Sequence, residues 1–210
     1  FDTYFFYKSA VTVYYAVISY KTILKTSKIS FRNRVLSLKP KNIQHYVIIP
    51  NFKEPFYKLE STIKSIIYND YPYKKISLVL AFEKRESNVS TKAYKLKRRF
   101  NKYFRDIFIT YHELVEGEEE GKASNETYAG KYINALIDEI GIDKKQVLIT
   151  ICDADSYMPK NYFSYLTYQY LKDKNRQFHF YWAPVLLYNN FWKLPFFVRM
   201  QATISSILRL

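Results

Sequence analysis

The chain has 210 residues, 48% of them hydrophobic and 25% charged, a size and composition that suit one domain with a proper core and exclude a disordered chain. Only 4 Gly occur, with no G-x-G-x-x-G and no G-x-x-x-x-G-K-[ST], which removes the main motif of dinucleotide-binding and P-loop proteins. The net charge of +14 fits nucleic acid, an anionic membrane surface or a phosphorylated substrate as partner.

The sequence starts at Phe1 rather than Met and stops at Leu210 inside an apolar-patterned stretch, so it is expected to be a piece of a longer or processed chain. Residues 4 to 24, "YFFYKSAVTVYYAVISYKTIL", are apolar and aromatic with one charge in the first half, Lys8. That length suits a membrane span or an interfacial helix. Lys21, Lys25, Lys28, Arg32, Arg34, Lys39 and Lys41 follow, which would put that side in the cytoplasm. Residues 1–43 are therefore expected to form a membrane-associated helix and a basic linker.

From residue 45 the pattern alternates. "HYVIIP" reads as a strand, and "PFYKLESTIKSIIYN" as a helix with Phe56, Leu59, Ile63, Ile66 and Ile67 on one face. "ISLVLAF" (76 to 82) is a second strand. Residues 88 to 104 carry Val89, Ala93, Leu96, Phe100 and Phe104 at helical spacing with a heavily basic opposite face. "DIFITYH" (106 to 112) is a third strand, followed by an acidic loop and a helix over 124 to 140. "QVLITIC" is a fourth strand, and a helix over 159 to 172 follows. "FHFYWAPVLLY" offers one more strand, and residues 195 to 210 are amphipathic. Strands alternating with helices predict a mostly parallel α/β sheet with helices on both faces, and the wholly apolar "VLITIC" suits cover on both sides.

In such a sheet, ligands bind outside the carboxyl ends of the strands. Pro50, Asn51, Lys53 and Glu54 end the first strand; Glu83, Lys84 and Arg85 follow the second; "HELVEGEEEGKASNE" follows the third; Asp153 and Asp155 follow the fourth. Two acids in D-x-D spacing at a strand end repel unless a cation joins them. Mg²⁺ or Mn²⁺ takes one or two protein carboxylates and completes its shell with substrate phosphates. Lys122, after Gly121, can meet a phosphate as a point charge. Asn125 can bond a ribose or phosphate, or Ser124 or Asn125 can cap the next helix. Glu116, Glu118, Glu119 and Glu120 read as a solvated loop. His45, His112 and His179 lack metal-ligand spacing, and His45 and His112 read as structural. Cys152 has no His partner nearby and reads as a small apolar residue at a strand end.

"VIIPNFKEP", "LVLAFEKRE", "GEEEGKASNETYA" and "ITICDADSYMPKNYF", in that order, resemble the motifs of membrane-associated family-2 glycosyltransferases. The resemblance covers about residues 44 to 200. It implies a GT-A fold over 44–194, with 195–210 an amphipathic segment at the membrane interface or in the core. It implies a nucleotide-diphosphate sugar donor, a glycan or lipid acceptor, Mg²⁺ or Mn²⁺, and a membrane protein with its catalytic domain on the cytoplasmic side. It places Pro50, Asn51 and Glu54 near the nucleotide and Lys122 and Asn125 at the donor. It puts Asp153 and Asp155 on metal, with Asp153 also on the diphosphate. Glu83 stands where the family often has an aspartate against the base or ribose. The family's acidic catalytic base and its Gln-x-x-Arg-Trp segment have no counterpart before Leu210, and "RMQA" (199 to 202) does not match. The chain is therefore expected to bind donor and metal without efficient turnover, and transfer would be inverting.

Two other functions compete. A nucleotidyltransferase would carry a Gly- and Arg-rich phosphate loop where this chain has "PNFKEP". A non-enzymatic module binding membrane or nucleic acid would use the basic helix over 92 to 105, but leaves acids collected at the sheet edge unexplained. Nucleic acid is not the expected partner.

Overall fold

A computed structural model gives the structure of residues 2–38, 42–186 and 191–208. The chain divides into two compact units, Ser30–Gln177, and Phe1–Ile29 with Phe178–Leu210.

The first unit is built on four parallel strands, β1 (Gln44–Asn51), β2 (Ile76–Glu83), β3 (Ile107–His112) and β4 (Val147–Ile151), in the order β3-β2-β1-β4. Each crossover is helical, as parallel pairing demands: α3 (Phe56–Ile67), α4 (Val89–Phe100) and α5 (Lys122–Glu139). A short α2 (Arg32–Ser37) and α6 (Tyr162–Lys172) pack together, with Phe31 against Tyr165 and Tyr168.

Alternation along β1 and β2 decides which face each side chain serves. Val47, Ile49, Leu78, Leu80 and Phe82 join Leu59, Ile63 and Ile66 of α3, Ala93, Leu96 and Phe100 of α4, and Phe163 of α6. Tyr46, Ile48, Val79 and Ala81 face the other way, onto Ala129, Ile133 and Ile137 of α5. Helices thus cover both faces, as the apolar strands require. Each fully buried Ile or Leu contributes roughly 1.5–3 kcal/mol.

The expectation of two-sided cover fails at β4. Leu148 and Thr150 are buried, but Ile149 and Ile151 are 46% and 50% exposed. The reason is position: of the two edge strands, β3 lies under α5, which packs on β1, β2 and β3, while β4 lies at the opposite edge.

The second unit holds α1 (Asp2–Ser27) and α7 (Phe196–Leu208), which touch each other. The expected extra strand in "FHFYWAPVLLY" is not formed over residues 178–186, and its last two residues lie outside the described ones. Although α1 is long enough for a span, no described helix is long and apolar enough to cross a membrane. Its Tyr, Thr and Ser content keeps its hydropathy too low.

Candidate active site at the carboxyl rim of the sheet

Because all four strands run the same way, their carboxyl ends share one rim. Pro50 lies there at little cost. Ile48 accepts from the Cys152 N–H on the β4 side, so Pro50, two residues on, turns its missing donor toward β4 after that strand has ended at Ile151. Asn51 follows, buried, with its Oδ1 lacking a hydrogen-bond partner among the described residues.

The chain then turns through Lys53 at φ +60°, a left-handed conformation that costs a non-glycine residue about 1 kcal/mol. Glu86 holds it there. This buried carboxylate accepts from the Lys53 N–H at 2.9 Å and from Asn51 Nδ2 at 3.3 Å, and pairs with Lys92. Lys92 Nζ also donates to the Glu54 carbonyl at 3.0 Å, while the Glu54 carboxylate pairs with Lys58 at 3.0 Å. Glu86 and Lys92 were not evident as site residues in the sequence. Only the charge pairing of the two on either side of the α4 start hints at them.

At the ends of β2 and β3, Glu83 and His112 sit opposite one another in the register. The Glu83 carboxylate is buried and lies 3.2 Å from His112 Nδ1; His112 Nε2 is 3.0 Å from Glu118 Oε2. Burial alone would lower the His112 pKa, but the hydrogen bonds to Glu118 and Glu83 outweigh it and the net shift is upward. His112 in turn holds the Glu118 carboxyl below its ordinary value. Gly117 at φ +89° makes the turn that brings Glu118 back. Arg85 pairs with Glu120 and covers the Phe52 ring, 4.2 Å from its centroid. The acidic loop is solvated as expected, since Glu116, Glu118, Glu119 and Glu120 are all exposed, but two of the four also have partners: Glu118 meets His112 at the end of β3, and Glu120 meets Arg85 just after β2. Glu83, expected at the nucleotide, has its carboxylate committed to His112.

The helix after the loop starts two residues earlier than expected, at Lys122, with Gly121 before it. Neither Ser124 nor Asn125 is therefore its N-cap. Asn125 lies in the first turn and donates to the Ala81 carbonyl at 3.0 Å, pinning α5 to β2, while its buried Oδ1 has no hydrogen-bond partner among the described residues. The first turn of α5 carries Lys122 and no acid. A long helix presenting its N-terminus and a lysine to the rim favours a bound anion.

The turn after β4 explains how D-x-D spacing presents both acids. Thr62 of α3 donates to the Ala154 carbonyl at 2.8 Å, and Ser65 accepts from the Met158 N–H at 3.1 Å. Ala154 and Met158 are thereby drawn into the core, and the Ser156 N–H closes the turn on the Asp153 carbonyl at 3.1 Å. With Ala154 inward, Asp153 and Asp155 are both exposed. Asp153 pairs with Lys122, which also lies 3.3 Å from Glu126. Burial pushes the Cys152 thiol up to about 12, so it is unreactive at neutral pH, as a packed residue beside the site would be.

Among the described residues no three His, Cys, Asp or Glu side chains cluster as metal ligands. The donor set is two exposed carboxylates on one turn, one residue apart in the chain. It fits a hard divalent cation that takes one or two protein oxygens and fills its shell with phosphate and water, not a cation held by protein alone.

No family model matches the sequence, and no curated protein does. Matching solved structures include two of TarS from S. aureus. One, of residues 1-349, is 15% identical with a TM-score of 0.39, covering 56% of this chain and 29% of that one. The other is 15% identical with a TM-score of 0.41, covering 59% and 19%. The chain thus spans less than a third of either neighbour, and a likeness of this size bears on neither activity nor ligand.

Proposed function

We propose that this chain is the donor-binding portion of a metal-dependent, inverting glycosyltransferase that uses a nucleotide-diphosphate sugar. The acceptor would be a polysaccharide or a lipid-linked glycan. The observation that carries this is the rim itself. The exposed Asp153 and Asp155 lie on a turn anchored by α3, and Lys122 on the α5 N-terminus meets Asp153. Carboxylates for a cation and a lysine for phosphate, side by side, suit a metal-bound diphosphate better than a free anion, which two aspartates would repel.

In this proposal Lys122 lets go of Asp153 and turns to the diphosphate, while Asp153 and Asp155 hold Mg²⁺ or Mn²⁺. When bound, such a cation neutralises charge on the departing diphosphate. The nucleoside lies along the β1 end, over Pro50 and beside Glu54. The orphaned oxygens of Asn51 and Asn125 are acceptors suited to ribose hydroxyls or base N–H groups. Glu83 acts there through His112, fixing the rim, unless the donor displaces it. The proposal extends to residence on the cytoplasmic side of a membrane. It is supported by the many exposed aromatic residues of the second unit, among them Phe6, Phe180, Trp182 and Trp192.

Thermal unfolding with UDP and Mn²⁺ tests the reading. Ligand at about 100 times its dissociation constant adds roughly 2.7 kcal/mol, a rise of several degrees at about 2–4 °C per kcal/mol. The rise should require both components and vanish in Asp153→Asn/Asp155→Asn. A well-folded chain that shows no rise with UDP, GDP or dTDP, each with Mn²⁺, would overturn it.

A further inference from the structure

Beyond Lys92, which also holds the β1 end of the rim, α4 carries a second feature that the donor site does not use. Its core residues, Val89, Ala93, Leu96 and Phe100, occupy one face. Thr91, Lys92, Lys95, Arg98 and Arg99, with Asn88 just before the helix and Phe56 of α3, line a groove of about 740 Å³. The α4 positions recur mostly at steps of three and four, so they form one continuous stripe along the helix, about 12 Å long from Thr91 to Arg99 at 1.5 Å per residue.

The stripe contains four cations, and no acid lines the groove. Two of the cations have partners at its margins: Glu86 pairs with Lys92, and Glu60 with Arg99 at 2.8 Å. Lys95 and Arg98 are exposed and make no ion pair among the described residues. Lys95 stands three residues from Lys92 and Arg98 and four from Arg99, the spacing at which like charges repel. A bound anion relieves that repulsion.

We propose that the α3–α4 groove binds a ligand carrying two or more phosphate groups. Lys95, Arg98 and Arg99 grip the phosphates, and Phe56 lies against a less polar part. The length of the stripe suits several anionic groups in a row rather than one. Arg supplies paired donors and Lys a point charge, the combination that phosphate oxygens take best. Single-stranded nucleic acid is the poorer fit, because it would want a run of aromatic platforms and the groove offers one ring. The site is independent of divalent metal and of the rim.

The test is calorimetric titration of the full chain with sodium tripolyphosphate in the absence of divalent metal. Binding should weaken by at least about tenfold in Lys95→Ala/Arg98→Ala, a change equal to about 1.4 kcal/mol. It should be unchanged in Lys97→Ala/Lys145→Ala, which removes the same charge from two exposed residues outside the groove, and in Asp153→Asn/Asp155→Asn. Co-sedimentation with phosphatidylcholine vesicles, with and without cardiolipin, whose headgroup carries two phosphates, distinguishes the source. Capture by the anionic vesicles that Lys95→Ala/Arg98→Ala abolishes assigns a lipid headgroup; tripolyphosphate binding without capture assigns a soluble ligand. Equal weakening by the two lysine-containing pairs would make the effect one of diffuse charge and overturn the site. So would no binding of either probe, loss in the aspartate variant, or an oligonucleotide that binds more tightly and is indifferent to both pairs.

Discussion

The two ends of the sheet bury a histidine each, and they treat it in opposite ways. His45, near the amino end of β1, is fully buried among apolar neighbours, with Tyr71 and Phe163 edge-on and Thr167 Oγ1 2.8 Å from Nε2. No carboxylate among the described residues bonds to it, and burial pulls its pKa from 6.5 down to about 3. His112, at the carboxyl end of β3, is as buried but lies between Glu83 and Glu118, and its pKa moves up. The difference shows where the fold keeps charge. The amino end of the sheet is closed around a neutral ring, while the carboxyl rim gathers ions whose arrangement a ligand can alter.

The largest effect that can break this contrast is acid unfolding through His45. Its folded pKa lies below the unfolded one, so the unfolded chain takes up a proton that the folded chain refuses. The associated stability is complete above pH 6.5 and is lost as pH falls toward 3. Each unit in that window costs about 1.4 kcal/mol, on the order of 5 kcal/mol across the whole of it. Urea unfolding should show this loss, and His45→Phe/Thr167→Val, which removes both polar partners, should lose distinctly less between pH 7 and pH 4. An acid limb identical in the two proteins would mean that His45 is not held neutral.

His112 should respond in the reverse sense and by less. Its folded pKa is raised, so its contribution is complete below about pH 6.5 and fades as pH rises through the folded value. Glu118 has a lowered pKa, so its share is complete above its ordinary 4.5 and fades as pH falls through the folded value. The link is therefore strongest in mildly acidic solution. His112→Gln should cost about 1 kcal/mol near pH 6 and less near pH 9, measured from urea midpoints. A cost that does not change with pH would show an uncharged ring at the rim, and the contrast with His45 would shrink to one of hydrogen bonding.

Much of the frame behind this contrast was legible in the sequence. Short apolar runs marked β1, β2, β3 and β4 to within a residue or two, because buried parallel strands have no other way to be written. What was not legible came from register and packing. Nothing local in "HELVEGEEEG" tells Glu118 from Glu119, since the choice depends on where the Gly117 turn lays each side chain against His112. Glu83 was visible as a rim acid, but its pairing with His112 follows from strand alignment. Glu86 carries no local signal and Lys92 reads only as part of a basic helix face, because their common target, the backbone of Lys53 and Glu54, lies more than thirty residues upstream. The two-sided cover expected of β4 failed for a related reason: an apolar run reports burial but not which strand lies at the edge. The D-x-D turn was legible as chemistry, and its outward presentation depends on Thr62 and Ser65, hidden in a helix that reads as merely amphipathic.

The smallest effect on stability sharpens the contrast most. Lys122 and Asp153 form an ion pair, but their side chains are 53% and 57% exposed, and a pair in that setting is worth little after screening and side-chain entropy. Lys122→Met should therefore change unfolding stability by no more than about 0.5 kcal/mol. The same substitution removes the one cation that stands beside Asp153 on the α5 N-terminus. If the rim receives a metal-bound diphosphate, the thermal shift with UDP and Mn²⁺ should fall sharply in a protein whose own stability has barely moved. If the shift survives and the stability falls, Lys122 is a structural counterion to Asp153, and the rim would then resemble the amino end of the sheet in using its polar groups to hold the fold. A residue that contributes almost nothing to folding yet decides ligand binding is what separates a site from a scaffold.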